Sequence, residues 1–271
     1  MTKIPRKAGF FYAVWPVCPK NLKIRAMRLS NKWDRYCGIY ISDDTRHQKS
    51  RTKNKRGNQM TETIATKTDR MTQIPEDLRR RYETLKEKVT ERRAEWNALM
   101  SFLEQETDWL SAPASTRFHL CREHGLLEHS VNVAETLLQL KALLAPELSD
   151  ESCVVTALLH DLGKAGVPGR PQYLKNEPSE KQKAYGYPAS RPYSFNNGLV
   201  CMSVPARSLY LAGSRFPFTE TEAQAILYHD GQYVEDNRSV AGHEEKLTLL
   251  LQYADNWSGF VKEKEEGYGE K

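Results

Sequence analysis

Three short stretches of this 271-residue chain set histidine and aspartate among aliphatic residues. The first is His119-Leu-Cys-Arg-Glu-His124-Gly-Leu-Leu-Glu-His129-Ser. The second is Ala157-Leu-Leu-His160-Asp161-Leu-Gly-Lys164, and the third is Leu249-Leu-Leu-Gln-Tyr-Ala-Asp255-Asn-Trp. Burying such groups costs free energy unless they are paired or bound to a metal. Imidazole nitrogen and carboxylate oxygen suit Zn, Fe, Mn, Co, Ni or Mg. Each residue alone has a plainer use: His129 as a hydrogen-bonded core histidine, Asp255 as a helix cap, His160-Asp161 before Gly163 as a helix stop. In this order, each on an apolar helix, they read together as metal ligands: His129, His160, Asp161 and Asp255. Lys164 follows Asp161 by three positions, on the same helix face. It can reach a phosphate oxygen while the aspartate holds the metal.

The elements that must carry these residues are helical. Leu126 to Leu144, Ser152 to Asp161, Thr219 to His229 and His243 to Phe260 all show helical patterning. Ser149 or Asp150 can cap the second, and Thr219 with Glu222 makes a capping box for the third. Upstream, residues 76 to 109 read as one long amphipathic helix, with Leu78, Tyr82, Leu85, Val89, Trp96, Leu99 and Leu103 on one stripe. Packing on the core is the first use of that stripe, and a dimer seam is the second. Between Gly163 and Pro217 seven prolines and many tyrosines indicate a long loop over the domain.

The formal net charge of +5 conceals an asymmetry. Residues 1 to 70 hold 17 Lys or Arg against 5 Asp or Glu, whereas residues 71 to 271 hold 23 against 30. The first segment lacks a sustained period and reads as a disordered basic arm, able to contact nucleic acid through phosphates. Translation starting at Met60 or Met71 is an alternative account of it. The five cysteines are odd in number, widely spaced and without a C-x-x-C pair, which argues against a disulfide framework or a structural zinc site. Cys153 reads as a core residue. No stretch approaches the ~20 apolar residues of a membrane span, and no signal peptide is evident, so a cytoplasmic protein with no membrane partner is expected. The domain plan is then 1–70 arm, 71–112 long helix, 113–262 ligand-bearing domain with a loop at 163–217, and 263–271 charged tail.

The sequence resembles the HD superfamily of metal-dependent phosphohydrolases, defined by an ordered His, His-Asp, Asp signature. His129, then His160-Asp161, then Asp255 match it in order and in flanking residues, over about residues 112 to 260. Within the superfamily the likeness is strongest to HD-domain 3′-to-5′ exoribonucleases and relatives in phages and mobile elements. Pro113 to His119 and Gly125 to His129 follow their pattern, as does Ala225-Ile-Leu-Tyr-His229-Asp-Gly231, although Asp230 stands where those relatives carry a second His or a Met. A Gly-His pair usual between these segments is missing, and Asn197-Gly198 stands there. The exoribonucleases also carry an OB-type domain, which residues 1 to 70 do not resemble.

The resemblance implies an all-α HD-domain bundle and a metal-dependent phosphomonoesterase or phosphodiesterase, in which metal-activated water attacks phosphorus. It implies one divalent metal on His129, His160, Asp161 and Asp255. It also gives catalytic parts to Asp161, Lys164, His229 and His119, the two histidines binding a second metal, positioning substrate or protonating the leaving oxygen. Lys164, Arg170 and Arg191 are candidate phosphate contacts, and tyrosines of the loop are candidate base-stacking groups. The implied substrate is a nucleotide or a short nucleic acid. The alternative is a nucleic-acid-binding accessory protein of a mobile element with a vestigial site.

Overall fold

The chain divides into two units, Met1–Met60 and Thr61–Lys271. A computed structural model describes residues 67–264, all within the second unit. The basic arm expected over 1–70 lies outside the described residues up to position 66, and 265–271 of the expected tail does too.

The all-α class is what the structure has. Among the described residues the helices are α1 (Lys67–Thr72), α2 (Glu76–Lys86), α3 (Arg93–Glu106), α4 (Gly125–Leu144), α5 (Asp150–Leu159), α6 (Glu180–Ala184), α7 (Val204–Ala212), α8 (Glu220–Leu227) and α9 (Lys246–Trp257). A two-stranded antiparallel hairpin, β1 (Tyr173–Lys175) with β2 (Tyr193–Phe195), pairs Tyr173 with Phe195 and Lys175 with Tyr193. No described helix is long and apolar enough to cross a membrane.

The core forms where α4, α5, α8 and α9 meet. α4 brings Leu126, Leu127, Val131, Val133, Ala134 and Leu137, α5 brings Val154 to Leu159, and α9 brings Leu247, Leu251 and Ala254. Cys153 lies in the same layer, fully buried, and its thiol is pushed up to about 12 by burial. The starts of the helices follow from capping chemistry. Ser149 Oγ accepts the Ser152 amide at 2.9 Å, and Asp150 and Glu151 in the first turn face the positive end of the α5 dipole. Thr219 and Glu222 form the expected reciprocal box on α8.

The helix read over 76–109 is two helices, not one. α2 stops at Lys86 and α3 starts at Arg93. In the gap, the amides of Thr90 and Glu91 donate to Glu151 Oε2 at 2.8 and 2.7 Å, and Arg92 Nε donates to Glu151 Oε1 at 2.7 Å. An uninterrupted helix would have used those amides internally, so the break is set by a partner 60 residues away on α5. The apolar period cannot report it. Leu85 to Val89 is four positions and Val89 to Trp96 is seven, as on a continuous face, and both Val89 and Trp96 are buried.

α2 and α3 enclose a polar network inside an apolar shell. Trp109 Nε1 donates to Tyr82 Oη at 3.0 Å, Tyr82 Oη donates to Glu104 at 3.0 Å, and Lys86 Nζ donates to the same carboxylate oxygen at 2.7 Å. Glu104 is fully buried, so the lysine offsets a charge that would otherwise be costly there. The stretch 163–217 is likewise more built than a loop. It holds the hairpin, α6 and α7, the last of which packs on the turn at 162–165. Proline density hid α7, since Pro205 sits in its first turn, where a missing amide costs nothing.

Candidate metal centre

His129 projects from the second turn of α4. The chain enters that helix through two residues with positive φ, Leu120 (46°) and His124 (63°). A Cβ on Gly125 would stand 2.0 Å from the Leu120 carbonyl oxygen, so only glycine lets the entering loop close on α4. His160 caps the end of α5, and Asp161 begins the 3₁₀ turn Leu162–Ala165. In a 3₁₀ turn positions three apart eclipse, which brings Lys164 Nζ to Asp161 Oδ2 at 2.5 Å. Gly163 admits α7 at close range, because a Cβ there would meet the Val204 carbonyl oxygen at 2.3 Å. Ser208 of α7 latches the turn: its Oγ accepts the Gly163 amide at 2.8 Å and donates to the His160 carbonyl at 2.9 Å. Asp255 comes from α9, and His229 follows α8.

These side chains converge. His129 Nε2 lies 3.1 Å from Asp255 Oδ1 and 3.6 Å from Asp161 Oδ2. His160 Nε2 lies 3.6 Å from Asp161 Oδ2 and 3.8 Å from Asp255 Oδ1. His229 Nε2 lies 3.6 Å from Asp161 Oδ1, and its ring stands edge-on to His160 at 4.7 Å. His119 lies at the edge, its ring 5.1 Å from His129. Three overlapping triads result, each with its ligand atoms within 4.8 Å: His119-His129-Glu263, His129-His160-Asp161 and His160-His229-Asp255.

The outer ring nitrogens are tied down. His160 Nδ1 donates to the Ala157 carbonyl at 2.7 Å, and His229 Nδ1 donates to the Ile226 carbonyl at 2.8 Å, each three residues back. These bonds leave Nε2 facing inward. His160 Nε2 is buried and has no hydrogen-bond partner. His129 Nδ1 faces both oxygens of Glu263, at 3.1 and 2.9 Å, and Asn132 Nδ2 holds the same carboxylate at 2.9 Å. Glu263 is itself buried, just beyond the π-helical turn 258–262 that prolongs α9. An imidazole that gives its outer N–H to a carboxylate or carbonyl and aims its other nitrogen at an acidic centre is the arrangement of metal-ligating histidine.

The electrostatics agree with that arrangement. Burial pulls Asp161 and Asp255 upward, yet Lys164 next to the first and His129 next to the second hold both well below the usual carboxylate range. Burial also works against Lys164, but Asp161 outweighs it and raises its pKa. His129 is pulled down by burial and raised further by Glu263 and Asp255, to about 10. His229 is pulled down by burial and raised by Asp230 and Asp161, to about 9. Burial dominates at His160 and His119, both lowered to about 4. The cluster is therefore an anionic pair that draws positive charge toward it, with a neutral imidazole nitrogen aimed into the centre. This donor set fits a divalent cation with N and O preference.

All four residues expected as ligands meet here, together with His229, Lys164 and His119. Arg170 and Arg191 do not join them. Both are exposed, and no hydrogen bond or ion pair connects either to the cluster among the described residues. His243 is exposed, and His124 is occupied with the Leu110 carbonyl at 2.6 Å. Asn197 and Gly198 are exposed as well. Glu263, the first position of the segment read as a charged tail, belongs to the site instead. It sits in Lys-Glu-Lys-Glu-Glu, which has the look of a solvated run and carries no signal of burial. Tyr173 was also missed. Burial raises its phenol, and it lies within electrostatic reach of Lys164 and Asp161.

The helical bundle thus gathers histidines and aspartates from four helices around a centre that could hold a divalent cation. Residues 126–258 match the family model of the HD domain. No curated protein and no solved structure matches the chain.

Proposed function

We propose that the chain is a phosphohydrolase that cleaves a P–O bond of a nucleotide or short nucleic acid with water. The observation that carries this reading is the convergence of three imidazole Nε2 atoms and two carboxylates in one buried cluster, with the outer nitrogens already tied. A divalent ion, when bound, supplies Lewis acidity toward a phosphoryl oxygen and eases the ionisation of water.

His129, His160, Asp161 and Asp255 would hold that ion, and His229 stands within the same ligand distance. Lys164 balances Asp161 and presents an ammonium where phosphate charge arrives. His119 is the most accessible of the four clustered histidines: its side chain is 23% exposed, against 2% for His129, 0% for His160 and 2% for His229. It therefore marks the solvent side from which substrate enters. Burial keeps it neutral near pH 7, so it can orient a water or accept a proton there.

Metal analysis of the purified protein beside Asp161→Ala tests the reading, followed by incubation of both with a nucleotide panel and a short RNA. Stoichiometric metal and product in the wild type, both lost in the variant, are expected. Failure of the wild type to retain any of Mn, Fe, Co, Ni or Zn would remove the enzyme reading and favour the binding-factor alternative.

A further inference from the structure

The segment between the HD turn and α8 differs in charge composition from the rest of the sequence after residue 70. Residues 162–219 hold eight Lys or Arg against two Asp or Glu, whereas the remainder of 71–271 holds 15 against 28. A segment of net positive charge thus interrupts a net acidic sequence, and it begins at Leu162, next to Asp161 of the metal centre. Its first strand starts at Tyr173, which is within electrostatic reach of Lys164 and Asp161. The three residues of β1, at ~3.3 Å each, carry the chain about 10 Å along the hairpin.

The hairpin is a constructed arm. Arg207 of α7 grips its root, donating to Gln172 Oε1 at 2.5 Å and to the Val200 carbonyl at 2.7 Å. Asn176 bridges the strands, donating to the Arg191 carbonyl at 2.9 Å and accepting from Ser194 Oγ at 2.9 Å. At the far end Ser179 and Gln182 form a capping box on α6, and Gln182 Nε2 also reaches the Pro188 carbonyl and Ser190. On this frame sit two stacked rings, Tyr185 and Tyr187, with centroids 6.4 Å apart and planes 30° apart. They are 70% and 65% exposed. Of the arm cations Lys175, Lys181, Lys183 and Arg191, only Lys183 has an acidic partner among the described residues, Glu180 at 3.2 Å.

Exposed aromatic faces beside unpaired cations match the chemistry of an unpaired nucleotide strand, with bases to stack and phosphates to neutralise. A duplex keeps its base faces covered and offers nothing to the tyrosines. We infer that the arm 170–195 is a grip for single-stranded nucleic acid that leads a strand toward the metal centre. This rests on the phosphohydrolase reading and narrows its substrate to a strand.

Fluorescence anisotropy with the full chain, in chelator so that no cleavage intervenes, tests the grip. The probe is a labelled single strand about 12 nucleotides long, within the span such sites cover, and the same strand annealed as a duplex. Comparison within the full chain cancels whatever residues 1–66 contribute. Tyr185→Ala with Tyr187→Ala should weaken single-strand binding roughly ten- to a hundredfold. Tyr185→Phe with Tyr187→Phe should retain it. Hydrolysis of a small chromogenic phosphodiester, measured with metal restored, should be the same in wild type and the alanine variant. Unchanged single-strand affinity in that variant, or a duplex bound as tightly as the strand, overturns the grip. A wild type inert toward the chromogenic ester speaks against the phosphohydrolase reading instead, and leaves the binding result to decide the grip by itself.

Discussion

Glu263 acts on one side of the His129 ring and is felt on the other. Its carboxylate accepts the Nδ1 proton, fixing the tautomer and the angle at which Nε2 meets Asp255 and Asp161. Glu263→Ala should therefore lower metal affinity ~10- to 100-fold in a chelator competition. Glu263→Gln, whose carbonyl can still accept that proton, should recover most of it. Equal loss in both variants would mean that charge rather than orientation is the contribution. At this scale the candidate ligands stand out in the sequence because polar residues are conspicuous among Leu, Val and Ala, as at His129, His160 and Asp255. Glu263 was not, since a glutamate among lysines and glutamates looks solvated until a fold buries it. Arg170 and Arg191 lie near the motif in sequence, and the fold carries both to the exposed surface, apart from the cluster.

Arg92 ties three elements together. From the gap between α2 and α3 it reaches Glu151 on α5 at 2.7 Å and clasps both oxygens of Glu222 on α8 at 2.7 and 2.6 Å, with Phe216 beneath it. Glu222 is fully buried. Removing one member of such a pair leaves an uncompensated charge, so Arg92→Met should cost about 3–5 kcal/mol in denaturant unfolding. Burial pulls the carboxyls of Glu222 and Glu151 up, and Arg92 outweighs it and holds both below the ordinary value. A carboxyl depressed on folding contributes stability above its unfolded pKa, near ~4.3, and loses it as pH falls through the folded value. The Tm of the wild type should therefore fall as pH drops below ~4, and Arg92→Met should flatten that acid limb. Parallel limbs would show that the clasp is electrostatically silent. Element types were legible here, element ends less so. The stripe through Leu85, Val89 and Trp96 reads as one helix because the six-residue gap returns the chain to the same face, and the carboxylate that stops α2 lies on a helix no local pattern connects to it.

At the scale of the molecule, the candidate ligands come from α4, the end of α5, the end of α8 and α9, so an ion there would join chain segments as distant as His129 and Asp255. Binding to the folded state alone stabilises it by about 2.7 kcal/mol at a hundredfold excess over Kd. For a body of this size that is roughly 5–10 °C in Tm. Thermal scans with and without chelator should show the difference in the wild type and none in Asp161→Ala. The order of the ligand helices could be read from the sequence. The cationic hairpin between two of them could not, because its prolines and tyrosines carry no period from which to infer a strand pair three residues long.

One consequence follows from the place of Cys153. Its sulfur lies in the core layer of α5, the helix that ends in His160, and burial leaves almost none of it as thiolate near neutral pH. A thiol reagent can reach it only when that helix leaves the core, while Cys201 is exposed in the folded protein. The residue is thus a built-in clock. Its labelling rate, followed by mass spectrometry, counts how often the site-bearing layer opens, and adding the metal should slow that clock without touching the rate at Cys201.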